Sequence, residues 1–213
     1  MFITFEGPEG AGKSTQVRLL AEFLRAAGHV VVVTREPGGT PIGDQVRAVL
    51  HDTANTAMAP TAEMLLYAAS RAQLVHEVIR PALAGGSVVL CDRYADSTMA
   101  YQGFGRGLDR AMLATLTAIA TGGLRPDLTL LLDLDVARGL GRRRDEGEEM
   151  NRLDLETIEF HERVRRGYLA LAAAELGRWV YIDADRSVDT VQSDVRRVVV
   201  QRLTAVGGST SVV

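Results

Sequence analysis

Hydrophobic positions along the chain fall into short, nearly unbroken runs, separated by longer segments in which apolar residues return every three or four places. The runs are Phe2–Glu6, His29–Arg35, Ser87–Asp92, Asp127–Asp133 and Trp179–Asp183, rich in Val, Leu and Ile. They largely lack period-two alternation, so each predicts a strand covered on both faces, as in a parallel sheet. The intervening segments predict helices over roughly 14–27, 43–51, 61–84, 109–121, 135–146, 154–176 and 187–204. Gly28, Gly85-Gly86 and Gly177 stand where helices should end, since glycine enters the left-handed conformation of a C-terminal cap without steric cost. Strand and helix alternate throughout. That predicts a right-handed, doubly wound α/β fold: a three-layer α/β/α sandwich on a parallel sheet of about five strands.

The pattern shows no internal repeat and no linker, so residues 1–206 read as one domain, with a frayed tail at 207–213, "GGSTSVV". The segment 142–152, "RRRDEGEEMNR", is the one charge-dense internal stretch, and it predicts a mobile flap over about 140–153. Composition changes this picture little. A chain of 213 residues, 46% of them hydrophobic, can bury a substantial core. A net charge of −3 gives no global attraction for nucleic acid or an anionic membrane, so any positive site must be local. Cys91 is the only cysteine, which excludes an intramolecular disulfide and fits a reducing, cytoplasmic setting. Residues 1–20 do not read as a signal peptide, and no run approaches the ~18 apolar residues of a membrane span.

The first strand leads into "GPEGAGKST", which matches G-x-x-x-x-G-K-[ST] from Gly7 to Ser14 and opens an amphipathic helix. Backbone N–H groups of Gly7, Pro8, Glu9, Gly10, Ala11, Gly12, Lys13, Ser14 and Thr15 (proline excepted) can curl around a phosphate at a helix N-terminus. Lys13 is the only lysine in the chain; the other 23 cations are arginine. A compact ammonium on a flexible stem suits a phosphate in a tight loop better than a planar guanidinium. Ser14 can ligate Mg²⁺. A glycine-rich turn with a chance lysine is the plainer alternative, disfavoured by the strand and helix on either side. With no second lysine, the N-K-x-D signature of a guanine-reading switch cannot occur.

Open α/β sheets bind ligands past the carboxyl ends of their strands. There the chain carries "TREPGGT", residues 34–40, and "CDRYADSTMAYQG", residues 91–103. Asp92 offers a carboxylate to Mg²⁺ and Arg93 a guanidinium to a phosphate. In isolation the two could equally be an ion pair capping a strand end. Asp133 and Asp135, ending the fourth strand, rank below Asp92 as metal ligands. Tyr67 and Arg71 share a helix face at i,i+4, as do Thr98 and Gln102 after the DRY triplet. A hydroxyl and an amide at that spacing can pair with the polar edge of a pyrimidine.

In this order and spacing, "FEGPEGAGKST", "TREPGGT", "AEMLLYAASRAQLV" and "DRYADSTMAYQG" resemble the bacterial thymidylate kinases over residues 2–186. The resemblance implies a P-loop kinase fold with a small mobile LID, and transfer of the γ-phosphoryl of Mg²⁺-ATP to dTMP. It implies that Tyr67 stacks on thymine, Arg71 bonds the base, Tyr101 lies against the sugar, Arg47 holds the dTMP phosphate and Glu36 sits near the sugar and metal. Arg93 belongs to the clamp on dTMP and to the catalytic set, and Arg186 lies along the adenine. Glu9 inside the loop marks the subclass whose catalytic arginine comes from the LID, with Arg142 and Arg144 favoured for that role and Arg152 a further candidate. In this segment the chain departs from the family, reading "NRLD" where "D-R-[IL]-E" is common and carrying Glu146. The resemblance also implies a homodimer. A kinase for another nucleoside monophosphate, a P-loop regulatory ATPase and a nucleic-acid-binding protein are the competing readings. The pyrimidine-facing set disfavours the first and the net charge of −3 the third, while the second is distinguished by ATP hydrolysis that needs no nucleotide acceptor.

Overall fold

The computed structural model describes residues 1–145 and 150–207. Residues 208–213 of the expected tail and 146–149 of the expected LID lie outside the described residues; Gly207, expected to begin the tail, instead ends a helix. Five strands, β1 (Phe2–Glu6), β2 (Val31–Arg35), β3 (Val88–Asp92), β4 (Leu128–Asp133) and β5 (Trp179–Asp183), form one parallel sheet in the order β2-β3-β1-β4-β5. β1 sits in the centre and pairs Thr4 with Cys91 on one side and with Thr129 on the other. β1, β3 and β4 are buried nearly throughout, as their unbroken apolar runs require. β2 exposes Val33 and Arg35 and β5 exposes Tyr181 because they are the sheet's edges, so the expectation of burial on both faces fails for these two.

α1 (Lys13–Ala26) and α9 (Val188–Gly207) cover one face of the sheet. Ile3, Phe5, Leu20, Leu130 and Val195 fill the core between them. The other face carries α3 (Pro60–Leu74) with its continuation through a wider π turn at Val75–Ile79 into α4 (Arg80–Ala84). α5 (Ala95–Thr98), the π-helical run Met99–Gly105 and α8 (Ile158–Ala174) complete that layer. α2 (Pro41–His51) and α6 (Arg110–Thr121) pack outside it against α3, and α7 (Val136–Asp145) lies over the loop that follows β1. α2 begins at Thr40, whose side chain accepts from Gly43 N, with proline at the first turn; α8 begins at Thr157, whose side chain accepts from Phe160 N. The strands shift by at most two residues from the pattern's expectation. The segment 95–105, of which only a helical turn was expected, winds as a short α-helix running into π turns. A π turn holds more residues than an α turn, and Thr98 and Gln102 remain on one side of it.

Candidate active site

The loop Gly7–Gly12 joins β1 to α1, and its glycines at 7, 10 and 12 all have positive φ (139°, 68° and 80°). A Cβ on Gly10 would overlap the Gly139 carbonyl, so α7 rests directly on the loop. Lys13 opens α1 and is buried, its ammonium donating to the carbonyls of Pro8 (2.7 Å) and Gly7 (3.2 Å). Burial and the nearby Arg93 guanidinium pull its pKa down to about 8, against the opposing pull of Glu9, Asp92 and Glu6. Ser14 Oγ donates to Asp92 Oδ2 at 2.5 Å, which gathers two hard oxygen donors beside the loop. Asp133 is instead gripped by Arg165 Nε and Nη2 (2.8 and 2.9 Å), consistent with ranking it below Asp92.

Arg93 is the one non-glycine residue with positive φ (68°) among those described. That left-handed turn brings its guanidinium back over the loop, where Nη1 donates to the Gly7 carbonyl (3.0 Å) and Tyr168 OH (2.9 Å). Nη2 pairs with Glu9 Oε1 (2.9 Å), and the guanidinium stacks over Tyr101. Glu9 also accepts from Tyr101 OH (2.7 Å) and Arg143 Nη1 (3.2 Å). Burial disfavours its charge, yet Arg93 and Lys13 hold its pKa far below the ordinary carboxylate value.

Arg143 faces Glu9 and lines the cavity together with Arg142, and Arg144 does not. Arg143 pairs with Glu9 and with Asp154 (3.1 Å), while Arg142 reaches the Ala184 carbonyl (3.3 Å) and Asp185 (3.5 Å). Arg144 is exposed and folds its Nε back to the Leu140 carbonyl of its own helix (3.3 Å), away from the loop. This corrects the preference for Arg144. Successive helical residues are turned by about 100°, so only one side of the arginine run can face the loop, and Gly10 against Gly139 sets which. Arg152 is also turned elsewhere, to Glu63 and the Leu50 carbonyl.

On the far side of Arg93, the buried Arg71 forms part of the cavity floor. Its Nε and Nη2 engage the Glu36 carboxylate (2.7–3.1 Å), Nη2 also donates to the Tyr94 carbonyl, and Nη1 donates to Thr98 Oγ1 (3.0 Å). Of the five N–H groups of a guanidinium, these bonds leave one on Nη1 without a partner among the described residues. Glu36 outweighs the burial of Arg71 and raises its pKa, so the cation is permanent. Gln102 Nε2 donates to Glu63 Oε1 (2.8 Å), and Arg47 Nη1 to the Pro37 carbonyl (3.0 Å) after the cis Glu36–Pro37 bond.

One cavity of about 680 Å³ joins the loop, Arg93 and the Arg71 chamber. Its wall runs from Glu9–Gln16 through Asp92 and Arg93 to Glu36, Arg47, Tyr67, Arg71, Thr98, Tyr101 and Gln102, and it reaches Arg186 beside α9. Arg186 is held there by Asp194 (2.6 Å) and the Asp183 carbonyl. Arg35, His51 and Asn151 also line it and were not anticipated, as Arg143 was not. His51 could have been found, because it follows Arg47 by one helical turn on α2. Burial and Arg47 push its pKa down to about 4, so it is neutral at pH 7.

A phosphate loop at the centre of a five-stranded parallel sheet, with an arginine-lined second chamber in the same cavity, defines a P-loop nucleotide kinase. The chain belongs to the thymidylate kinase family, whose profile matches residues 5–195. It is 56% identical to the thymidylate kinase of Trichlorobacter lovleyi, over 95% of this chain and 98% of that one. It is 55% identical to the thymidylate kinase of Deinococcus radiodurans, over 95% and 97%. The crystal structure of thymidylate kinase from Ehrlichia chaffeensis superposes with a TM-score of 0.76 at 34% identity, covering 93% of this chain and 97% of that one. Among the described residues, no helix is long and apolar enough to cross a membrane.

Proposed function

We propose that the chain transfers the γ-phosphoryl of ATP to the phosphate of dTMP, giving dTDP and ADP. The observation that carries this reading is the single cavity in which Arg93 stands between the phosphate loop and the chamber floored by Arg71. Phosphoryl transfer asks little covalent chemistry of a protein. It asks that donor and acceptor be aligned and that the charge on the transferred group be neutralised.

In this reading the loop amides and Lys13 hold the β- and γ-phosphates, and Arg186 borders the adenine. Arg47 holds the acceptor phosphate, and Arg93 with Arg143 and Arg142 neutralises the oxygens that carry charge in the transition state. Glu9, bonded to Arg93, Arg143 and Tyr101, keeps these groups gathered. Mg²⁺ fits the oxygens of Ser14 and Asp92, a donor set of the hard type it prefers alongside phosphate. When bound it would neutralise negative charge on the phosphates.

The second chamber supports a thymine or uracil edge. The unpaired Arg71 N–H is a donor for O4, and the Gln102 amide, its nitrogen held by Glu63, turns its oxygen to the ring N3–H. Cytosine presents the reverse pattern at those two positions. Tyr67 provides the face on which the base stacks, and Tyr101 fills the place beside the sugar. The exposed apolar side chains Ile42, Val49, Leu65 and Met112 on α2, α3 and α6 support a homodimer through that face. Nothing in the fold or charge calls for nucleic acid or a membrane, and the chain works in the cytoplasm. An acceptor screen with ATP tests the reading: dTMP is turned over fastest, dUMP more slowly, and dCMP and AMP poorly. ATP hydrolysis independent of any acceptor would overturn it.

A further inference from the structure

Glu63 is a carboxylate that the phosphoryl-transfer chemistry does not use. It lies near the start of α3, buried, with every partner drawn from a different part of the chain. Arg106, in the turn after the π-helical run, donates to both of its oxygens (3.1 and 3.3 Å). Arg152, near the end of the expected LID segment, donates to Oε2, and Gln102 Nε2 donates to Oε1 at 2.8 Å. Burial alone would raise the Glu63 pKa, but the bonds from Arg106, Gln102 and Arg152 carry it below the ordinary value. The group is therefore an anion at neutral pH, and an ionised carboxylate only accepts.

An amide has two poles. Facing a group that only accepts, Gln102 must turn its nitrogen to Glu63 and its oxygen away. Gln102 lines the cavity, and its oxygen has no hydrogen-bond partner among the described residues. We propose that Glu63 is a specificity-setting positioning residue, which fixes the polarity of the Gln102 amide and so makes the chamber demand a ring N–H from the base. This deepens the dTMP reading and rests on it.

Glu63→Gln reverses the logic at nearly constant volume. Arg106 and Arg152 only donate, so they claim the new side chain's oxygen and leave its NH₂ facing Gln102. Gln102 then offers its oxygen to residue 63 and its NH₂ to the base, opposite the N3–H of thymine. Two donors face each other, and a buried mismatch of this kind costs about tenfold or more in affinity.

The test measures kcat and KM for dTMP and dCMP in wild type and Glu63→Gln, together with a high-resolution structure of the wild-type protein with dTMP. The expected results are a KM for dTMP raised about tenfold with kcat little changed, and a dTMP-over-dCMP preference reduced by about tenfold or more. General loosening of the fold would lower both substrates alike and leave that ratio intact, which overturns the proposal. If wild type fails to phosphorylate dTMP, the functional reading falls and this proposal with it. A wild type active on dTMP with an unchanged ratio in the variant removes only the role of Glu63. The structure decides independently should the variant not fold. Gln102 nitrogen against Glu63 and oxygen against N3 supports the proposal, and the opposite orientation overturns it.

Discussion

Arg143 Nη1 lies 3.2 Å from Glu9 Oε2, an ion pair that ties the last turns of α7 to the phosphate loop. Asp154 pairs with the same guanidinium from the other side of the LID segment. Arg143 thus faces Glu9 in the loop, while Arg144 faces solvent and its own helix. Arg143→Met is expected to lower kcat by about a hundredfold or more, the usual effect of removing a transition-state cation, with a smaller change in KM for dTMP. Arg144→Met should stay within about threefold of wild type. Steady-state kinetics of the two variants checks this, and a larger loss in Arg144→Met would return the role to that residue.

Lys13 carries a pKa of about 8 because burial and Arg93 disfavour its charge. In the proposed role its charged form holds the phosphate, so the sign follows directly. As pH rises through 8, a growing share of the free enzyme has a neutral amine, and binding ATP must take up a proton. KM for ATP should therefore climb between pH 8 and 9.5, by up to about tenfold per pH unit, while KM for dTMP stays nearly flat. Lys13→Met should lose about a thousandfold or more in turnover and show no such rise. A KM for ATP independent of pH across that interval would contradict the assignment.

Arg71 and Glu36 form a buried pair in which each neutralises the other. Removing one partner alone leaves an uncompensated charge, at a cost of about 3–5 kcal/mol. Arg71→Ala is thus expected to raise KM for dTMP strongly and also to lower Tm, and adding Glu36→Gln should restore much of the Tm without restoring affinity. Thermal melts beside dTMP titrations separate the two effects. Recovery of dTMP binding in the double variant would remove Arg71 from base recognition.

The strands were legible in the sequence because apolar runs covered on both faces leave little else to become, and the edge exposure of β2 and β5 was not, because edge position depends on strand order. The phosphate loop was legible for a local reason: Gly10, Gly12, Lys13 and Ser14 act within one turn of chain. Arg71 and Gln102 could be found from i,i+4 spacing, whereas their partners could not. Glu63 near the start of α3 reads as an ordinary acid favoured by the helix dipole, and only the fold brings Gln102, Arg106 and Arg152 to it. The phase of α7 was hidden in the same way. Which of three consecutive arginines faces Glu9 is decided by the contact of Gly139 with the loop, 129 positions away from Gly10.

Glu6, the residue before the loop, accepts from Tyr94 N (2.8 Å), Ser97 Oγ (2.6 Å) and Tyr168 OH (2.9 Å), while Tyr168 OH in turn accepts from Arg93. Burial, with Asp96 nearby, raises its pKa to about 7 from 4.5, despite those bonds and the pull of Arg93. A carboxyl whose pKa is raised on folding binds more protons in the native state than in the unfolded one. Its contribution to stability is full below pH 4.5 and is lost as pH rises through 7. A glutamine at this position has no such dependence. The stability of Glu6→Gln relative to wild type should therefore increase from pH 5 to pH 8, by a difference on the order of 3 kcal/mol. Urea unfolding of both proteins at those two pH values measures it. A constant offset between the two curves would show that Glu6 is already ionised throughout.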